Sequence, residues 1–134
     1  MSLVAKKTIG APFANSSELI EIIYDFSVDG GLVGDYDVLE ADGACIVECK
    51  YLIVETAVTS GGSLVADLGK ADGGTEYFSD LAVAALTLES IHAPTAENRF
   101  VELTNGEKIV FGIEAAAATA GKIHMVFEVR KKPY

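Results

Sequence analysis

Between Glu18 and Val129 apolar and polar residues repeatedly change places at every second position, and this period of two limits the fold more than any other feature of the chain. Successive side chains of a strand point to opposite faces, so such alternation belongs to strands with one face in a core and the other in water. ELIEIIYDFSV sets Ile20, Ile22, Tyr24 and Phe26 on one face. Near the other end, KIHMVFEV buries Ile123, Met125, Phe127 and Val129 and turns His124, Glu128 and Arg130 outward. Between them VGDYDVLEA sets Val33, Asp35, Asp37 and Leu39 against Gly34, Tyr36 and Val38. CIVECKYLIVETAVT opposes Glu48, Lys50, Leu52 and Val54 to Cys49, Tyr51 and Ile53, and a run this long is expected to bend or carry a bulge.

Punctuation between these runs is equally specific. TSGGS at 59–63 reads as a tight reversal, with SLVADLG as a short strand after it. RFVELTNGEKIVFGIE reads as a hairpin, because Asn105 and Gly106 both tolerate the positive φ that a type I′ turn needs. TEYFSDLAVAAL spaces Tyr77, Leu81, Ala84 and Leu88 at three or four residues, with Thr75 available as an N-cap, which predicts one short helix. EAAAATAG at 114–121 is shorter than the roughly 12–15 residues an isolated helix needs, so a tight small-residue connection is expected there.

About eight strands without alternating long helices leave no room for a parallel sheet. The expected class is all-β: an antiparallel, jelly-roll-like β-sandwich with at most one short helix. A chain of 134 residues makes one domain, and half of them being apolar supplies a core without disulfides. Residues 1–17 have no period and read as an extended N-terminal arm; 18–134 form the sandwich. Leu3, Val4, Ile9 and Phe13, with Lys6 and Lys7, are the anchors by which such an arm lies across a neighbouring subunit, the alternative being a frayed terminus.

Ten basic against twenty acidic residues, net charge −10, argue against sequence-independent nucleic-acid binding, which needs clustered Lys and Arg. No long apolar run follows Lys6 and Lys7, so neither a signal peptide nor a membrane span is expected. Cys45 and Cys49, four residues apart on one strand, would hold their Cα atoms roughly 13 Å apart. A disulfide needs less than about 7 Å, so both are expected as reduced, inert thiols.

YDFSVDGGLVGDYDVLEADG at 24–43 gathers Asp25, Asp29, Asp35, Asp37, Glu40 and Asp42 and invites a calcium reading. Framed from Asp35, the EF-hand pattern meets Leu39, Glu40 and Ile46 at its fifth, sixth and twelfth positions; framed from Asp25, it meets Ser27 and Tyr36. Both frames fail. Two strands with acidic turns are expected, a looser calcium site from Asp29, Asp35 or Asp42 being the minority alternative. There is no Gly-x-Ser-x-Gly elbow, LGKADGG lacks phosphate-loop spacing, and His92 and His124 alone cannot supply a cupin-type metal cage. Neither catalysis nor a cofactor or metal is expected, and His124 is expected as a surface residue.

IIYDFSVDGGLVGDYDVL, the long strand after it, TAVTSGGSLVADLG and the closing TAGKIHMVFEV together resemble a recurrent type of small structural protein of tailed bacteriophages. That type opens with DFAxDGG, continues with a TSGGSA turn and closes with a TAG-x-I strand; the likeness runs through most of residues 22–129. The EAAAATAG connection and the acidic DYDVLEADG depart from it. The resemblance implies a capsid cement, or decoration, protein made in the host cytoplasm. It would be a homotrimer on the outside of the virion head, partnered by the major capsid protein and by itself, with no nucleic acid and no membrane. Two alternatives stand beside it: a receptor-binding or head-fibre knob recognising host glycans, and a calcium-dependent carbohydrate-binding module.

Overall fold

The computed structural model describes residues 3–10 as backbone and residues 17–131 with their side chains. Its strands are β1 (Leu3–Gly10), β2 (Ser17–Asp25), β3 (Gly34–Asp42), β4 (Cys45–Ser60), β5 (Val65–Lys70), β6 (Phe78–Ala82), β7 (Ile91–His92), β8 (Phe100–Leu103), β9 (Lys108–Glu114) and β10 (Ala118–Lys131), with a single helical turn, α1 (Phe26–Asp29), after β2. They form two sheets. The first runs β1-β3-β9-β5-β6; the second runs β2-β10-β4-β7, with β8 also paired to β4. All pairs are antiparallel except β1 with β3. The core lies between the sheets, with Tyr24, Phe111, Phe127, Leu39, Leu52 and Leu68 among its fully buried side chains. The chain is thus the all-β, mostly antiparallel sandwich that its alternation requires.

Pairing of β2 with β10 follows that alternation closely. Ile20 lies opposite Phe127, Ile22 opposite Met125 and Tyr24 opposite Ile123, all six inside. The long β4 changes face partway. Cys49 pairs with Phe127 and Tyr51 with Val126, leaving Lys50 as the extra residue of a bulge. Before it Cys45, Val47 and Cys49 point inward; after it Leu52, Val54 and Val58 do. One bulge therefore corrects the expectation that Glu48, Lys50, Leu52 and Val54 share a face. β3 is corrected in the same way: its register against β9 slips between Asp37 and Leu39, so Val38 and Leu39 are both buried in the core while Asp37 lies opposite Val110 on the outer face.

Three further expectations change. Residues 78–82 form β6, not a helix: Val65 pairs with Ala82 and Leu68 with Phe78, and a 3-10 turn at Val83–Ala85 follows. An open edge of β5 decides this, since pairing outweighs a weak helix preference. Thr75 caps no helix. The predicted hairpin at Asn105–Gly106 is instead a crossing between sheets, because β8 pairs with β4 while β9 pairs with β3 and β5. Glu107 N–H donates to Thr104 O at 3.0 Å, and Gly106 has φ 85° while Asn105 is not positive. A single positive φ at the third position belongs to a type II turn, not type I′. The TSGGS reversal likewise carries the chain from one sheet to the other. Among the described residues the strands number ten, above the expected eight or so, because β1, β6 and the two-residue β7 form.

The acidic stretch 24–43 holds two strands, with α1 between them. Asp25 Oδ1 accepts from Ser27 N–H at 2.9 Å, and Asp29 Oδ2 accepts from Asp25 N–H at 2.8 Å, so both carboxylates serve the backbone of the turn. The alanine stretch is the expected tight connection, β9 ending at Glu114 and β10 starting at Ala118. Cys45 and Cys49 are buried and unpaired, and burial pushes the Cys49 thiol up to about 12. No described helix is long and apolar enough to cross a membrane.

Candidate interaction surfaces

The arm residues Leu3, Val4, Lys6, Lys7 and Ile9 all fall on β1, while Phe13 lies outside the described residues. β1 extends the first sheet by parallel pairing, Leu3 opposite Asp37, Lys7 opposite Leu39 and Ile9 opposite Ala41. The partner strand carries Asp35, Asp37, Glu40 and Asp42, so the two lysines of β1 join the most acidic strand of the sheet.

Carboxylates dominate the outer face of that sheet. Asp37 is only 2 % exposed; its Oδ2 accepts from Lys108 Nζ at 3.0 Å, and its Oδ1 has no partner among the described residues. Gly112 leaves room for the acids beside it, since a Cβ there would lie 3.1 Å from Asp35 Oδ1. Asp67, Asp80 and Glu114, from β5, β6 and β9, bring carboxylate oxygens within 4.8 Å of one another. Asp67 Oδ1 also accepts from Asp80 N–H at 2.7 Å. A hydrogen bond with Asp67, then the charge of that carboxylate, raises the Glu114 pKa above the ordinary carboxylate value. Among the described residues the looser site envisaged from Asp29, Asp35 or Asp42 does not come together, and this group escaped sequence reading because its members are spread from residue 67 to residue 114. At the rim, Lys70 Nζ at 2.8 Å and the Thr104 hydroxyl and amide hold Glu107 down at about 2.

The outer face of the second sheet is an ion-pair ladder. His124 sits half-buried between two acids, Nε2 at 2.7 Å from Glu55 and Nδ1 at 3.3 Å from Glu21, and Glu55 first raises its pKa. Lys122 bridges Glu55 and Asp25, and Lys50 bridges Glu48 and Glu128. Exposed Leu19, Ile23, Ile91 and Phe100 lie scattered among these charges.

The third surface is one end of the sandwich, where α1 and the loop after it meet the β4–β5 turn and the β9–β10 connection. Val28 is 79 % exposed, Leu32 73 % and Val33 57 %. The loop beneath them is pinned. Tyr24 hydroxyl donates to Gly30 O at 2.5 Å, Tyr36 hydroxyl to Leu32 O at 2.6 Å, and Ala118 N–H to Gly31 O at 2.7 Å. Gly30 has φ 128°, and a Cβ there would sit 2.6 Å from the Tyr36 ring, so only glycine fits. Ser60 Oγ–H donates to Ala117 O at 2.7 Å, and the Gly62 Cβ position lies 2.9 Å from Ala116 Cβ, which ties the other two segments together. The apolar residues in DGGLVG were the one available signal, since turns favour polar residues.

The architecture is that of a two-sheet jelly-roll-like sandwich many of whose charged groups are held in ion pairs, caps and carboxyl pairs. The same fold occurs in phage capsids. A chain of the cyanophage Pam1 capsid asymmetric unit matches at TM-score 0.62 and 15 % identity, over 92 % of this chain and 91 % of that one. One in the capsid of Ralstonia phage GP4 matches at 0.61 and 15 %, over 93 % and 98 %. One in the acid-stable capsid of Helicobacter pylori bacteriophage KHP30 matches at 0.59 and 16 %, over 90 % and 91 %. No protein-family model matches the chain, and no curated protein is significantly similar to it.

Proposed function

We propose that the chain is a virion structural protein of a tailed bacteriophage, a capsid cement protein that binds the outside of the head and stabilises it by bridging major capsid subunits. The observation that carries this reading is the likeness, over about nine-tenths of both partners, to chains of three phage capsids. A cement subunit needs surfaces more than pockets. It acts as any ligand of an assembled state does, lowering the free energy of the shell by mass action, and requires no turnover. Placed outside, a net charge of −10 keeps the particle soluble and repels free nucleic acid.

In this reading the subunit is a homotrimer, and Leu3, Val4, Lys6, Lys7, Ile9 and Phe13 contact the shell or a sister subunit. The test is co-sedimentation with purified shells lacking the protein, with heat release of DNA from filled heads as the readout of stabilisation. Retention and a raised release temperature are expected. Failure of the folded protein to sediment with shells would end the proposal. Removing residues 1–14 is expected to abolish retention; because β1 covers the edge of β3, the milder Lys6→Glu/Lys7→Glu variant separates lost contact from lost fold. Glycan binding without shell retention would favour the receptor-binding alternative.

A further inference from the structure

We infer that the end of the sandwich carrying Val28, Leu32 and Val33 is the self-association surface of the protein, occupied by the same end of a second copy; this deepens the proposed trimeric reading and rests on it. The first observation is exposure: three large apolar side chains stand in solvent on one short segment. Contiguous exposed apolar residues of this kind mark association sites, whereas single ones do not.

The second is rigidity. The carbonyls of Gly30, Gly31 and Leu32 are each held, by Tyr24, Ala118 and Tyr36, so the side chains are presented on a fixed backbone. Little ordering entropy is then lost on contact.

Charge decides the occupant. Residues 26–34, 59–63 and 115–120 contain one formal charge, Asp29, whose Oδ2 already accepts from Asp25 N–H. Each copy carries −10 overall, so two copies repel nearly everywhere and meet at least cost where charge is missing. A basic partner would be drawn instead to the carboxylates of the first sheet. The apolar residues outside the second sheet do not serve, because they stand among the ion pairs of Glu21, Glu48, Glu55 and Glu128 with His124, Lys50 and Lys122, whose desolvation a contact there would cost.

The experiment compares wild-type protein with Val28→Asp/Leu32→Asp and the milder Val28→Ala/Leu32→Ala by light scattering after size exclusion, over a range of concentrations, each variant being checked by circular dichroism. Wild type is expected to associate. The Asp pair is expected to weaken association about tenfold or more and the Ala pair less, both with an unchanged spectrum, since neither side chain belongs to the core. A wild type that stays monomeric, or an Asp pair that associates normally, would overturn the inference. An Asp pair that remains oligomeric but leaves purified shells would also overturn it, by assigning this end to the shell. An associating wild type that ignores shells would sink the cement reading and leave this surface standing.

Discussion

Removing the Tyr24 hydroxyl isolates one of the anchors under the apolar end. The ring lies 4.9 Å from Phe26, 5.7 Å from Tyr36 and 4.9 Å from Phe111, centroid to centroid, and Tyr24→Phe keeps all three contacts. Only the bond to Gly30 O is lost. A neutral hydrogen bond contributes about 1 kcal/mol net, and Gly30 is only half-buried, so a cost near that value is expected. For 134 residues this lowers the unfolding temperature by about 3–4 °C. Tyr36→Phe, which frees Leu32 O, costs about as much. The two hydroxyls hold the same four-residue loop, so the double variant should fall by less than the sum: once the loop is loose, the second anchor has less left to hold. Calorimetry or thermal circular dichroism gives the stabilities, and hydrogen exchange at residues 30–33 should quicken in each variant, with association weakening in parallel. Losses above about 4 kcal/mol would mean that the rings had repacked. Unchanged exchange in the double variant would refute the claim that these hydroxyls fix the loop.

Other outcomes follow from single groups. Gly30→Ala should cost about 2 kcal/mol or more, because φ 128° and the Tyr36 ring both oppose a Cβ, and a urea midpoint that does not move would contradict this. Glu114 faces Asp67, Asp80 and Asp35, and its pKa is raised in the folded chain. Its contribution is therefore fully present below the ordinary carboxylate pKa and is lost as pH rises through the raised value. Glu114→Gln should accordingly flatten the fall of the urea midpoint as pH rises above the ordinary carboxylate pKa, and raise the midpoint on the alkaline side of that fall; a lower midpoint there would show that the carboxyl pair stabilises. Cys45 and Cys49 should ignore a thiol reagent such as dithiobisnitrobenzoate until the protein unfolds, since both are buried and the Cys49 thiolate is disfavoured up to about pH 12. Rapid labelling of the native protein would show that the second sheet opens.

Burial made the sandwich readable. A core on one face imposes a period of two, so Ile20, Ile22, Tyr24 and Phe26 at one end and Ile123, Met125, Phe127 and Val129 at the other announce their own sides. What alternation does not carry is sheet membership. FVEL and KIVFGIE flank an Asn-Gly turn just as hairpin strands do, yet one joins β4 and the other joins β3 and β5. Nor does it locate bulges: Lys50 and the slip between Asp37 and Leu39 each reverse the face of everything beyond them. Tyr77 was assigned to a helix by spacing and an available N-cap, whereas its N–H donates to Leu68 O within the first sheet and its hydroxyl to Val47 O across the core, a contact that exists only once the sheets have met. The Asp67, Asp80 and Glu114 carboxylates were invisible because strand pairing within the first sheet, and not nearness in sequence, brings them together. Val28, Leu32 and Val33 stood in plain view, as aliphatics inside a glycine-rich turn, but only exposure separates an apolar turn that packs inward from one that waits for a partner.

Cryo-electron microscopy of phage heads decorated with this protein tests the account most directly. Threefold density on the outer surface, bridging neighbouring shell subunits, with the loops that hold Val28 and Leu32 meeting around the axis, is the predicted result. Density on the inner wall, or heads that stay bare at saturating protein, would contradict it.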